Sequence, residues 1–206
     1  MVRALLGQDK FNYLGYSYGT FLGATYAGLF PTNVGHMVLD GAVDPAVQGD
    51  DLAAMQMRGF EASLRHWVED CQAGRNCPLT GDADAGMRKM KAFFESLENS
   101  PLETSDANRP LTRNLAMSAV IGLLYSTETY SILTQAMTSA LNSNDGSMLL
   151  FVADLLNERN KDGSYASNSM DAIVAINSLD YSPVGNADQW TKGYETLKSE
   201  LLVFGE

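Results

Sequence analysis

Apolar positions fall into two regimes along the chain. Phe11-Asn12-Tyr13-Leu14-Gly15-Tyr16 is a short aromatic and aliphatic run, the pattern of a buried parallel strand. Residues 18–30 then read as a helix rich in Gly and Ala and stopped by Pro31. Its small residues Gly19, Gly23, Ala24, Ala27 and Gly28 permit close approach to a sheet. A second short strand, residues 37–40, leads into Gly41 and a loop through Asp44-Pro45. Residues 2–6 look like the last turns of a helix, with Gly7 as its stop.

From about Gly49 the period becomes 3.6 and stays there. Leu52, Met55, Gly59, Phe60, Leu64 and Trp67 mark one face of a long helix. Further helices are expected over 83–98, 111–125, 128–141, 147–158, 168–179 and 187–203. Turn signals separate the later ones, among them Asn142-Ser143-Asn144-Asp145-Gly146 and Lys161-Asp162-Gly163-Ser164. The predicted architecture is thus α/β over residues 1–48, then all-helical over 49–206. A parallel strand needs neighbours on both sides and cover on both faces, and two strands alone expose bare edges. The expectation is that the sequence begins inside a larger domain.

Between the first strand and the first helix stands Gly15-Tyr16-Ser17-Tyr18-Gly19, a G-x-S-x-G pattern. A bare match arises by chance in about one chain of this length in fifteen, so the strand-to-helix placement carries the argument. In that context the pattern reads as a nucleophile elbow. Ser17 would stand on a sharp turn with its hydroxyl above the sheet. Gly15 and Gly19 would remove side chains where strand and helix crowd together. The backbone N–H of Tyr18 would face a developing oxyanion, aided by the helix N-terminus.

Composition narrows the partners. The chain has 206 residues, 45% hydrophobic, and a net charge of −11. Such a surface repels nucleic acid and anionic membranes, so neither is an expected partner. The longest apolar run, residues 115–125, is too short to span a bilayer. The first six residues are too short for the apolar region of a signal peptide. The two cysteines, Cys71 and Cys77, admit either a small disulfide loop or two reduced thiols. Zinc is disfavoured, because His66 alone cannot complete four ligands, and no metal or cofactor is expected.

Asn12-Tyr13-Leu14-Gly15-Tyr16-Ser17-Tyr18-Gly19-Thr20 and Tyr26-Ala27-Gly28-Leu29-Phe30-Pro31 resemble the actinobacterial tripeptidyl aminopeptidases. These are exported α/β-hydrolases, related to prolyl aminopeptidases and often named carboxylesterases. Val38-Leu39-Asp40-Gly41-Ala42-Val43-Asp44-Pro45 is similar to the family's next strand and loop. Cys71 and Cys77, with Pro78-Leu79 following, resemble its helical insert, which favours the disulfide. Ala175-Ile176-Asn177-Ser178-Leu179-Asp180 resembles a segment near the insert's end. Relatives usually have cysteine where Ser178 stands, so a second disulfide of the family is expected to be absent.

The resemblance implies a fragment of an α/β-hydrolase fold, the elbow's strand-helix-strand followed by a helical lid. The chain would hold the fifth and sixth strands and the lid. It would lack the loop giving the second oxyanion donor and the strands carrying the triad's acid and histidine. The implied enzyme is a serine peptidase or esterase, secreted or in the cell envelope, acting on peptides or small esters through an acyl-enzyme on Ser17.

Completing a triad inside the chain meets obstacles. The hydrolase order is Ser, then acid, then His. His36 precedes the second strand, so about 15 Å of strand separates it from Ser17. Asp40, at that strand's C-terminal end, and His66 satisfy the order formally. Yet His66 falls among polar positions, the pattern of a solvated histidine, and Asp40 suits a structural acid. Glu69, Asp70, Asp154 and Asp171 are candidate anchors for a substrate's amine, with solvated surface acids as the alternative. Residues 115–125 could line a pocket or be plain core. Three functions therefore stay open: a serine hydrolase needing its missing parts, a non-catalytic helical binding module, and a reduced esterase using Asp40 and His66.

Overall fold

The computed structural model describes residues 2–47, 49–181 and 184–205. The chain divides into two compact units, residues 1–52 and 53–206.

The first unit contains α1 (Val2–Leu5), β1 (Phe11–Tyr16), α2 (Tyr18–Leu29) and β2 (Val34–Asp40). Gly7 ends the first helical segment in the left-handed region, φ 64°. The strands pair in parallel, with Gly15 opposite Leu39 and Tyr16 opposite Asp40. β2 begins three residues before the position the sequence pattern predicts. The cause is a register shift between Phe11 and Tyr13. There the Asn12 side-chain oxygen accepts the backbone N–H of His36 at 2.9 Å. A side chain thus fills in for a ladder bond, which strand periodicity does not reveal.

Helix α2 lies close against one face of this sheet. A methyl group at Gly23 would meet Leu39 at 2.7 Å and the Tyr13 ring at 2.8 Å. Gly28, by contrast, faces open space, so the expectation that it permits close approach is not met. Side chains alternate across a strand, so Leu14, Tyr16 and Val38 point away from α2. Their exposures are 57%, 63% and 58%, which marks that apolar face as uncovered within the unit.

The second unit holds most of α3 (Gly49–Ala73), then α4 (Ala83–Asn99), α5 (Arg113–Leu124), α6 (Tyr130–Ser143), α7 (Ser147–Leu156), α8 (Ser169–Asp180) and α9 (Ala187–Glu200). Local chemistry sets several of the boundaries. Asp82 caps α4 by accepting the Ala85 N–H at 2.7 Å, and Asn186 and Gln189 form a reciprocal capping box on α9. The buried stripe of α3 comprises Leu64, Trp67, Val68 and Cys71, with Met57 and Phe60 partly buried. It begins later than expected: Met55 is exposed and Gly59 faces open space. Trp67 is fully buried, and its indole N–H donates to Thr134 of α6 at 3.2 Å.

Most of the run 115–125 is core, while Leu115 lines a cavity and Tyr125 is exposed. Ala116, Ala119, Val120, Leu123 and Leu124 are all buried, and α5 packs against α7 with Gly122 directly against Leu156. Cys71 and Cys77 form a disulfide across the turn that follows α3. Helix α9 stops at Glu200 rather than 203. Beyond it the Glu61 carboxylate accepts the backbone N–H groups of Leu202, Val203 and Phe204 at 3.0–3.3 Å. Those amides need no helical acceptor, and Val203 and Phe204 turn into the core. Helix α8 behaves differently: it buries no side chain, and Ile173, Val174 and Leu179 are exposed. No helix among the described residues is long and apolar enough to cross a membrane.

Candidate active site

Ser17 stands between the last residue of β1 and the first of α2. Its backbone lies at φ 48°, ψ −119°, a region that costs a non-glycine residue about 1–3 kcal/mol. Glycines make the bend possible. A methyl group at Gly15 would lie 2.6 Å from the Gly19 carbonyl oxygen and from the Tyr13 ring. Tyr13 fills the space thus opened, and its hydroxyl donates to the Gly19 carbonyl at 2.8 Å.

Two hydrogen-bonded paths hold the serine in this conformation. Its N–H donates to the Asp40 carbonyl at 2.9 Å. Its carbonyl accepts from both the N–H and the hydroxyl of Thr20, at 2.9 and 2.6 Å. Gly41, at φ 68°, turns the chain beside the Ser17 amide. The serine is exposed, and α2 runs for 12 residues from Tyr18 onward. An exposed hydroxyl on a fixed turn beside a helix N-terminus is equipped to attack a carbonyl. The Tyr18 N–H lies at the helix end where developing negative charge is favoured.

The other candidates are distributed unevenly. Asp40 lies opposite Tyr16 and is joined to Ser17 through its own backbone carbonyl. His36 sits on β2 at the register shift, four residues before Asp40, or roughly 13 Å along the strand. His66 belongs to the second unit and is exposed. Its Nδ1 is 3.3 Å from the Tyr130 hydroxyl, with the two rings edge to face. Tyr130 is buried, and burial followed by the nearby Asp70 charge raises its pKa above the ordinary phenol value.

Among the four candidate anchors, Asp154 already has a partner. Arg109 grips it bidentately at 2.6 and 2.7 Å, and Arg159 approaches to 3.8 Å. It lines a cavity of about 560 Å³ together with Arg109, Arg159, Tyr165 and Asp171. Asp171, on α8, is exposed in that cavity, whereas Glu69 and Asp70, on α3, are exposed outside it. Sequence reasoning did not single out Arg109 or Thr20; nothing in their local spacing signals bonds to Asp154 or Val43.

A family model described as "alpha/beta hydrolase fold" matches residues 1–190. The chain belongs to this family. It is 37% identical over 195 residues to "Serine protease Hip1" of Mycobacterium tuberculosis, a match covering 91% of this chain and 37% of that protein. "Carboxylesterase B" of the same organism is 36% identical over 179 residues, 86% of this chain and 34% of that protein. "Tripeptidyl aminopeptidase" of Streptomyces lividans is 56% identical over 46 residues, 22% of this chain and 9% of that protein. The chain thus spans about a third of the length of the first two relatives. Its small two-stranded parallel sheet and predominantly helical remainder fit a portion of an α/β-hydrolase.

Proposed function

We propose that this chain is part of a serine hydrolase in which Ser17 is the nucleophile and the Tyr18 N–H is an oxyanion donor. The single observation that carries the reading is Ser17 itself, a non-glycine residue held at φ 48° on an exposed strand-to-helix turn. Strain of this kind persists only where its surroundings enforce it, and it clusters at reactive sites. The hydroxyl would attack a carbonyl carbon while a histidine takes its proton. The tetrahedral oxyanion would collapse to an acyl-enzyme, and water would release the acid. The names of the relatives support a peptide or small ester substrate, with release of N-terminal tripeptides or action on prolyl peptides as the finer proposal. The disulfide supports an oxidising compartment and hence an exported enzyme.

The proposed histidine and acid come from sequence beyond these 206 residues. His36 is at the far end of its strand, and the His66 ring is engaged by Tyr130. Asp40 then serves as a structural acid, and residues 49–206 as the helical lid. The uncovered face bearing Leu14, Tyr16 and Val38 supports a sheet with further elements around it.

The test is labelling by a fluorophosphonate, which bonds only to an activated serine. The isolated chain at neutral pH should stay unlabelled. A chimera should label at Ser17, and Ser17→Ala should not; in that chimera residues 1–206 replace the matching region of the serine protease relative from Mycobacterium tuberculosis. Full labelling of the isolated chain would instead favour an internal pair such as Asp40 and His66. An unreactive chimera would favour a binding module.

A further inference from the structure

We propose that Thr20 is a positioning residue for the nucleophile, fixing the Ser17 carbonyl and the loop after β2 through one buried hydroxyl. The inference rests on the reading of Ser17 as nucleophile and extends it to a residue that touches no substrate. Thr20 is 1% exposed, so its hydroxyl is shut away from water. Its hydroxyl donates to the Ser17 carbonyl at 2.6 Å and accepts the Val43 N–H at 2.8 Å.

The first of these bonds is ordinary. Threonines in a first helical turn often bond back to a carbonyl three residues earlier. The second is not local: it joins residues 23 apart in sequence. Together with the bond from the Ser17 N–H to the Asp40 carbonyl, it ties both peptide groups flanking the serine to the segment 40–43. One tie is direct and the other runs through Thr20. A residue at positive φ relaxes if either flanking peptide can rotate. The Asp40 bond restrains the peptide before Ser17, and the Thr20 hydroxyl and N–H restrain the one after it. That second peptide carries the Tyr18 N–H, so the same hydroxyl would set the direction of the proposed oxyanion donor. A donor of this kind acts only when aimed at where charge develops.

The test compares Thr20→Val, which keeps the shape and removes the hydroxyl, with Thr20→Ser, which keeps the hydroxyl. Thr20→Ala is a second hydroxyl-free variant. All are made in the 206-residue chain. The first readout is amide hydrogen exchange at Val43, with His36, held by Asn12 at the other end of the sheet, as the fold control. The second is phosphonylation of Ser17 by excess fluorophosphonate with imidazole added as external base. In that reaction the serine oxygen bonds to phosphorus, fluoride leaves, and imidazole takes the proton.

Val43 exchange in Thr20→Val should rise about tenfold or more with His36 unchanged, and Ser17 labelling should fall about tenfold or more. Thr20→Ser should restore both readouts. Unchanged labelling in Thr20→Val would overturn the proposal. Loss of His36 protection in both hydroxyl-free variants would also overturn it, by making Thr20 a general stabiliser. If the unsubstituted chain resists labelling even with imidazole, labelling of the same variants moves to the chimera, where an unreactive Ser17 ends the nucleophile reading. Val43 exchange then decides the Thr20 tie by itself, and no change in Thr20→Val refutes it.

Discussion

The backbone N–H of Ser17 donates to the carbonyl of Asp40 at 2.9 Å, across the paired ends of two parallel strands. Asp40 therefore contributes to the turn through its main chain. Asp40→Asn should leave the turn intact, with Ser17 amide exchange within about twofold of the parent, because the bonded carbonyl is unchanged. A large rise in exchange would assign the work to the carboxylate instead.

Gly15, before α2, and Gly28, within it, should differ sharply on substitution. Gly15→Ala places a methyl group 2.6 Å from the Gly19 carbonyl, so strand or helix must move. Ser17 amide protection is expected to fall at least about tenfold, with the Trp67 amide of the second unit unaffected. Gly28→Ala meets nothing within 4 Å. It should be neutral or stabilising by about 0.5–1 kcal/mol, read from exchange of the α2 amides.

Asp154 gives the second unit an acid-sensitive bond. The Arg109 hydrogen bonds hold its carboxyl below the ordinary carboxylate range, opposed by desolvation and aided by the Arg109 and Arg159 charges. A depressed folded pKa adds stability that is complete above the unfolded value, about 3.9, and is lost as pH falls through the folded one. Asp154→Asn should therefore cost about 1–3 kcal/mol near pH 7. The gap between the two proteins should begin to close below about pH 4 in urea denaturation. A gap independent of pH would remove the ion pair from the account.

Reduction of Cys71–Cys77 opens a loop with a sequence separation of 6. A loop that short contributes about 2 kcal/mol through the unfolded chain. The double Cys→Ser variant should melt about 4–8 °C lower, and reductant should lower the parent's melting point by a similar amount.

Glu61 anchors the segment after α9 by accepting three successive amides. Glu61→Ala should cost about 1–3 kcal/mol and speed exchange at Val203 and Phe204 more than in α4. Equal acceleration everywhere would mean a global effect rather than a local anchor.

Much of this was legible in the sequence where periodicity and turn chemistry agree. β1 and the start of α2 lie where the apolar run and Gly15-Tyr16-Ser17-Tyr18-Gly19 placed them. The helices from Ala83 onward begin within two residues of expectation, and side-chain caps fix the starts of α4, α5 and α9. What stayed hidden rests on side chains bonding to distant backbone. Asn12 extended β2 to Val34, Glu61 ended α9 at Glu200, and Thr20 reached Val43. None of these leaves a periodic trace. Helix α8 lies where the period places it, at Ser169–Asp180, yet Ile173, Val174 and Leu179 are exposed, because period alone does not say which elements find a covering partner.

The central claim is tested most directly by mapping the fluorophosphonate adduct by mass spectrometry, on the isolated chain and on the chimera with its Mycobacterium relative. The account predicts an adduct on Ser17 in the chimera, none in its Ser17→Ala variant, and none on the isolated chain at neutral pH. An adduct on another serine, or a stoichiometric one on the isolated chain, would contradict it.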